Sequence, residues 1–336
     1  MTANNKALRH RGGWKAGMLI LFLAAAVMAF TFSMNGGAIA IPLGDTWRYL
    51  FHPSQEGVMR DIIWNIRYPR TLVAALVGAN LAVSGALLQG VMRNPLADPH
   101  IIGVSSGAGL LGMIVLIALP NMSYLLTPFA FIGGTGAALL IYLLAWKNGI
   151  VPTRIILAGV AVSAFMGAGI SALLTFYSDR VQGAISFMVG GLSAKSWPQF
   201  DTILPYSVVG LAVAFLCARK MNILMLGDST AKSLGTRVEL TRIIVTMVAT
   251  FLAASAVSIV GLLGFVGLII PHTARMLVGN DYRVLLPASA LLGVAVITAC
   301  DTVARLAFAP IELPVGVIMG ALGAPFFLYL LRRKTV

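Results

Sequence analysis

The sequence predicts an all-α polytopic membrane protein of about ten transmembrane helices, and three observations carry that prediction. The 336 residues are 59% hydrophobic and 10% charged, with a mean hydropathy of +0.91, against about 25% charge in an ordinary globular domain. Apolar runs of about twenty residues recur from end to end, each long enough to cross some 30 Å of hydrocarbon. The runs are continuous and rich in Leu, Ala and Gly. Strands of a barrel would alternate instead, so helices are the means of satisfying the backbone away from water.

The elements follow in order. The first run, 17–34, comes after Lys6, Arg9, Arg11 and Lys15. That arrangement imitates a secretory signal, but no small-residue cleavage site follows and the remainder is itself apolar, so it reads as the first span. The joint 35–69 is the longest and has room for a short interfacial helix around Trp47. Spans 70–91, 102–119, 124–145 and 154–176 come next, separated by short polar joints. A Gly-rich segment, 178–200, leads through Trp197 and Pro198 to span 201–218. After the joint 219–241, spans 242–259, 262–277, 284–304 and 313–331 complete the set. With no soluble appendage in view, residues 1–336 read as one transmembrane domain with a short tail at 1–16.

A net charge of +13 invites a nucleic-acid partner, but the charges are distributed by side. With the N-terminus inside, only Arg48, Arg60, Arg67, Arg70, Arg180, Lys195 and Arg305 fall outside, leaving 17 of the 24 basic residues within. The positive-inside rule then places both termini in the cytoplasm and makes the basicity topological. The two cysteines, Cys217 and Cys300, lie inside apolar spans with no converging partners and read as packing residues. A weak internal repeat pairs His100-Ile-Ile-Gly-Val-Ser-Ser-Gly after the second span with Gly261-Leu-Leu-Gly-Phe-Val-Gly after the seventh. A five-span offset puts the two on opposite membrane sides, as a five-helix inverted repeat requires.

Several constellations could carry function. Arg67 and Arg70 flank Pro69 on the outer side, where positive charge is otherwise depleted, and Arg305 stands near Pro310 and Glu312. Either they anchor to headgroups or they receive acidic groups of a substrate or docking protein. In Arg93-Asn-Pro-Leu-Ala-Asp-Pro the prolines forbid a straight helix. The segment is a cytoplasmic turn, or a constriction formed by Asn94 and Leu96 where irregular backbone lines a cavity. Gly103-x-Ser105-x-Gly107 matches a nucleophile elbow only formally, because a strand, a histidine and an acid are missing. Ser105, Ser106 and Gly107 suit close helix packing or a pathway lining. In the inner joint, Asp228 or Ser229 can cap a short helix that Gly235 stops, with Leu226, Ala231 and Leu234 on one face. Such a helix lies on lipid or enters a partner's groove. His100 and His272 show no haem-ligand spacing, and Pro271 reads as a helix kink. Intramembrane acids are scarce, Asp301 near a span end being the clearest, which counts against an ion-driven carrier.

Together these segments resemble the permease subunits of iron-siderophore, haem and cobalamin ABC importers, the FecCD-type permeases, over roughly residues 15–333. The resemblance is carried by Arg67-Tyr-Pro-Arg, Ser84-Gly-Ala-Leu-Leu-Gln, Arg93-Asn-Pro-Leu-Ala-Asp-Pro with Gly103-Val-Ser-Ser-Gly-Ala, Leu157-Ala-Gly-Val-Ala, Leu226-Gly through Leu234-Gly, Gly264-Phe-Val-Gly-Leu-Ile-Ile-Pro-His, and Leu313-Pro-Val-Gly through Gly323-Ala-Pro-Phe-Phe. It implies a second permease chain, identical or sibling, two ATPase subunits below and an extracytoplasmic binding protein above. It implies further that Arg67, Arg70 and Arg305 dock the binding protein, that Asn94, Leu96 and Thr153 form the cytoplasmic gate, and that Ser105, Ser106 and Gly107 line the pathway. Coupling helices at 222–237, with Leu226, Gly227, Asp228, Ala231, Leu234 and Gly235, would engage the ATPase. No catalytic residue, metal or cofactor is expected in the chain, since ATP and Mg belong to the ATPase. The implied setting is a bacterial cytoplasmic membrane. The implied cargo is a ferric siderophore, with haem or cobalamin as alternatives in the same family.

Overall fold

A computed structural model describes residues 12–37, 39, 41–52, 57–100, 102–146 and 152–332. The N-terminal tail through Arg11, and Val151 just before the fifth predicted span, lie outside the described residues.

Every regular element among the described residues is a helix. The order is α1 (Gly12–Asn35), α2 (Leu43–Phe51), α3 (Val58–Asp61), α4 (Tyr68–Val91), α5 (Val104–Met113), α6 (Leu126–Ala145), α7 (Pro152–Phe176), α8 (Val181–Val189), α9 (Trp197–Leu224), α10 (Asp228–Ser233), α11 (Val238–Val260), α12 (Val266–Val278), α13 (Tyr282–Leu306) and α14 (Val315–Arg332). Among the described residues seven helices are long and apolar enough to cross a membrane, and three shorter apolar ones cover 104–118, 266–278 and 315–328. The first joint does hold a short helix, α2. The second span starts earlier than its sequence window: α3 runs through a π-helical turn, Ile62–Arg67, straight into α4. Pro69, in the first turn of α4, has no N–H to give the ladder. The turn before it widens, with Tyr68 N–H reaching back to Ile63 O.

The two helices α5 and α12 are short because irregular backbone leads into each. After α4 the described residues through Gly103 are non-helical, held by Asx bonds from Leu96 N–H to Asn94 Oδ1 (3.0 Å) and from His100 N–H to Asp98 Oδ1 (2.9 Å). After α11 it stays non-helical from Gly261 to Phe265. Each of the two helices begins after a left-handed residue, Gly103 at φ 73° and Phe265 at φ 66°. The two interruptions meet, with His100 Nε2 3.4 Å from Leu263 O. Non-helical backbone at membrane depth is tolerated only where protein or a cavity surrounds it, and here each interruption shields the other.

The core is built on α4, buried almost throughout, which packs against α13, α11, α9 and α12. Small residues set its approach distances. A Cβ on Gly78 would lie 2.2 Å from Gly293 O, and one on Gly293 would lie 2.3 Å from Gly78 O. Without side chains there, the two helices cross in direct backbone contact, the usual way for membrane helices to pack. In contrast, α1, α7 and α9 turn large apolar side chains outward, Met28, Phe165 and Leu216 among them.

Two ends result. One gathers Arg67, the start of α6, α8, the start of α9 and the loop 307–314, and is called the arginine end. The other gathers the 92–98 turn and α10.

Candidate functional site

At the arginine end, α4 and α13 bring Arg67, Arg70 and Arg305 into one buried network. Their exposures are 4%, 6% and 8%. Arg67 donates from Nη1 to Met34 O and Asn35 O, both at 2.9 Å, and from Nη2 to Ile39 O. It caps the end of α1 this way. Gly37 leaves room for the guanidinium, since a Cβ there would sit 2.6 Å from Arg67 Nη2. Arg70 donates to Asp301 through Nε (3.1 Å) and Nη2 (2.9 Å), a bidentate fork, and through Nη1 to Glu312 Oε2 (2.9 Å). Arg305 donates through Nη2 to Ser33 O (3.0 Å) and Ser33 Oγ (2.9 Å), and through Nη1 to Gly36 O (3.2 Å). It also lies 3.4 Å from Asp301, one helical turn before it.

The sequence expected these arginines to face outward to an acidic partner or to headgroups. Instead the structure spends all three inside the chain, because a desolvated guanidinium must be matched by carbonyls or carboxylates. Asp301 and Glu312 supply the carboxylates; Glu312, near Arg305 in sequence, pairs with Arg70. Asp301 is 1% exposed at its side chain and Glu312 is 43% exposed. Burial alone would raise the Glu312 carboxyl, but the hydrogen bond and charge of Arg70 outweigh it and hold the group below its ordinary value. Ser193 Oγ donates to the same Glu312 oxygen at 2.9 Å. That bond ties the network to the loop after α8, which in turn bonds α14 through Gly316 N–H to Gly190 O (3.0 Å).

At the opposite end, Asn94 and Leu96 lie partly exposed in the turn after α4, and Thr153 is exposed in the first turn of α7. Leu96 shares a cavity of about 430 Å³ with Asp98, His100, Phe265 and Phe327. Both helix interruptions therefore border one space. Among the expected lining residues, Ser106 is half-buried and bonds Ser163 of α7 at 3.0 Å. Ser105 is buried beside His100, 3.4 Å away. Gly107 is a packing residue and not a lining one: its Cβ position lies 2.1 Å from Gly133 O of α6.

The inner joint holds one six-residue helix, α10, capped by Gly227 at φ 106° and closed by Gly235 at φ 75°. Asp228 is not the cap. Its carboxylate accepts from Arg93 Nη2 (2.6 Å) and from Arg242 Nη2 (2.9 Å), which pins α10 against the 92–98 turn and α11. The expected apolar face divides: Leu226 and Leu234 are 61% and 57% exposed, whereas Ala231 is buried against the bundle. Residues 222–224 belong to the end of α9.

Several polar contacts escaped the sequence reading altogether. Asn80 Nδ2 donates to Ser207 Oγ (2.7 Å) and to Ser255 Oγ (3.2 Å) deep between α4, α9 and α11. Asp281 opens α13, bonded by Arg283 and by Asn222 Nδ2 (2.7 Å), and these bonds bring its carboxyl down to about 2. No group of three or more His, Cys, Asp or Glu side chains among the described residues could hold a metal ion. Cys217 and Cys300 are free and buried.

Comparison with known proteins adds to this geometry. The profile of the FecCD transport family matches residues 23–333. A cobalamin import system permease protein of Halobacterium salinarum is 47% identical over 289 residues, 84% of this chain and 78% of that one. An Fe(3+)-citrate import system permease protein of Bacillus subtilis is 36% identical over 97% of both chains. A hemin transport system permease protein of Yersinia pestis is 38% identical over 95% of both. Among solved structures, the inward-facing conformation of an ABC transporter assigned to the metal-chelate type superposes with a TM-score of 0.83. Its sequence is 28% identical, and the match covers 95% of this chain and 99% of that one.

Proposed function

Because the chain belongs to the FecCD transport family, we propose that it carries a ferric siderophore or related iron chelate inward as the permease subunit of an ABC importer. Members of the family are membrane-spanning permeases and not enzymes, so the chain has no bond to make or break. The observation that supports the reading most is the family match over residues 23–333, laid on a helical bundle with two unlike ends.

In this reading the three shorter apolar helices also cross, giving ten spans, and the end bearing α10 is cytoplasmic because most basic residues lie on that side. Both termini are then inside a cytoplasmic membrane. The matched left-handed starts of α5 and α12, approached from opposite ends, support an inverted repeat. A second permease chain completes the pathway. Two ATPases bind at the α10 end through Leu226 and Leu234, with Asp228 bracing that helix from within. Asn94, Leu96 and Thr153 form the inner gate. An extracytoplasmic binding protein docks over the arginine end. Since Arg67, Arg70 and Arg305 are occupied internally, an acidic side chain of the binding protein reaches Arg70 by taking the place of Glu312, the more exposed of its two carboxylates.

Cargo release follows from differential contact with two states, not from tight binding. ATP and Mg stay with the ATPase. Among the described residues no chain of free carboxylates serves an ion gradient, since Asp301 is held by two arginines. A second cargo, cobalamin, is favoured by one observation: the 47% identity to a cobalamin permease.

Proteoliposomes containing the permease, its ATPase and a binding protein test both points. ATP-dependent accumulation of labelled ferric siderophore is the expected result. Accumulation of cobalamin alone would replace the cargo, and uptake driven by an ion gradient without the ATPase would overturn the class.

A further inference from the structure

The outward face between α6, α9 and α11 carries a feature that transport does not use. At its arginine end lies a cavity of about 550 Å³ between the starts of α6 and α9 and the end of α11. Lys195, Thr127, Gln199, Thr202 and Ser258 are among its polar lining residues. Lys195 is half-buried, and its ammonium has neither a hydrogen bond nor an ion pair with any described residue. Burial pushes that ammonium below the ordinary lysine value, and no carboxylate among the described residues offsets this. The ammonium is not fully enclosed, so an anion entering the cavity can reach it.

Below this cavity the character changes. Phe131, Tyr206 and Phe251 form a cluster with ring centroids 5.4–5.7 Å apart. On the far side of the cluster a separate cavity of about 260 Å³ lies between α6 and α11, lined by Leu139, Tyr142, Ile243 and Met247, with Phe251 on its wall. Ile132 beside the first cavity and Leu139 and Met247 beside the second are exposed, so both cavities open outward. From Thr127 to Tyr142 the path along α6 is roughly 22 Å at 1.5 Å per residue. One leaflet's hydrocarbon is about 15 Å deep, so the path is long enough for an acyl chain from the near leaflet, and its far end passes the midplane. A polar, cationic head compartment above an apolar channel matches an amphiphile with an anionic head.

We propose that this furrow binds one anionic phospholipid from the leaflet at the arginine end, with its phosphate on Lys195 and one acyl chain lying past Phe131 and Phe251 into the second cavity. The headgroup bridges the starts of α6 and α9, and the chain fills the space between α6 and α11. The lipid thereby braces the outward side of the helices on which the α4 core rests.

The test uses the assembled transporter in nanodiscs of phosphatidylglycerol or phosphatidylcholine, read by native mass spectrometry and thermal unfolding. The wild type should retain one phosphatidylglycerol per permease chain and melt several degrees higher than in phosphatidylcholine. Lys195→Gln should lose both effects and Lys195→Arg should keep them, with unchanged gel-filtration profiles as the control on folding. Met247→Trp, which fills the apolar half and leaves the lysine, should also expel the lipid. Equal retention by Lys195→Gln would overturn the site. So would an equal shift from inorganic phosphate in phosphatidylcholine discs, which marks a free-anion site. Loss of permease pairing in Lys195→Gln with the lipid still bound would instead assign the furrow to a second chain.

Discussion

Arg70 shows how one side chain can be both buried and indispensable. Its fork to Asp301 and its third bond to Glu312 satisfy two carboxylates from different segments. Breaking a buried pair from one side leaves an uncompensated charge and costs about 3–5 kcal/mol. Arg70→Met should therefore lower stability by about that amount, and Arg70→Met with Asp301→Leu by less, as thermal unfolding in detergent would register. Charge reversal at Arg67 and Arg70 would consequently test folding before it tested docking. Glu312→Gln is the cleaner probe: it keeps the Asp301 fork while weakening the exchangeable contact, and binding-protein affinity should rise several-fold in titration calorimetry. The carboxyl of Glu312 is held below its ordinary 4.5, so its contribution is complete above that value and disappears as pH falls through the lowered one. The melting difference between wild type and Glu312→Gln should shrink only on acidification below 4.5. The arginines were legible in the sequence as positive charge at the end of the bundle that the charge count leaves poorer in basic residues. Their carboxylate partners were not, because Asp301 lies 231 residues from Arg70 and no local pattern joins them. The one signal available was the i, i+4 spacing of Asp301 and Arg305 on a single helix.

Among the elements, α10 is the clearest case of a helix defined by what it leaves uncovered. Leu226 and Leu234 stand out from the bundle while Ala231 packs into it. Leu226→Asp with Leu234→Asp should release a copurifying ATPase without lowering the melting temperature of the permease, whereas Ala231→Asp should unfold the joint. Retained ATPase in the double variant would remove coupling from this helix. The crossing of α4 and α13 is set in the opposite way, by the absence of side chains. Gly78→Val would drive a branched side chain into the backbone at Gly293 and should cost at least the 1–3 kcal/mol typical of overpacking, measurable as a lowered unfolding temperature. Helix existence was legible from apolar runs, since lipid imposes that pattern directly. Helix starts were less so. The windows at 102 and 262 precede the observed starts at Val104 and Val266, because a left-handed residue inside each run, Gly103 and Phe265, resets the backbone before the helix begins, and apolar character alone does not reveal that.

At the scale of the whole molecule, the bundle is held by contacts between segments far apart in sequence. That arrangement has a consequence for how the protein is made. Arg67 finds its carbonyl partners on α1, already synthesised when it emerges. Arg70 does not. Its buried carboxylate is translated 231 residues later, roughly 10–50 s at 5–20 residues per second. During that interval the nascent α4 has an unneutralised guanidinium near its end, and its final seat becomes available only with α13. A chain stopped after Val278 should therefore be cleared rapidly by membrane proteases in a pulse–chase experiment, and Arg70→Met should prolong its lifetime. In the full-length chain the same substitution should shorten it. The clamp that closes the finished bundle thus doubles as a completeness check on the ribosome's product.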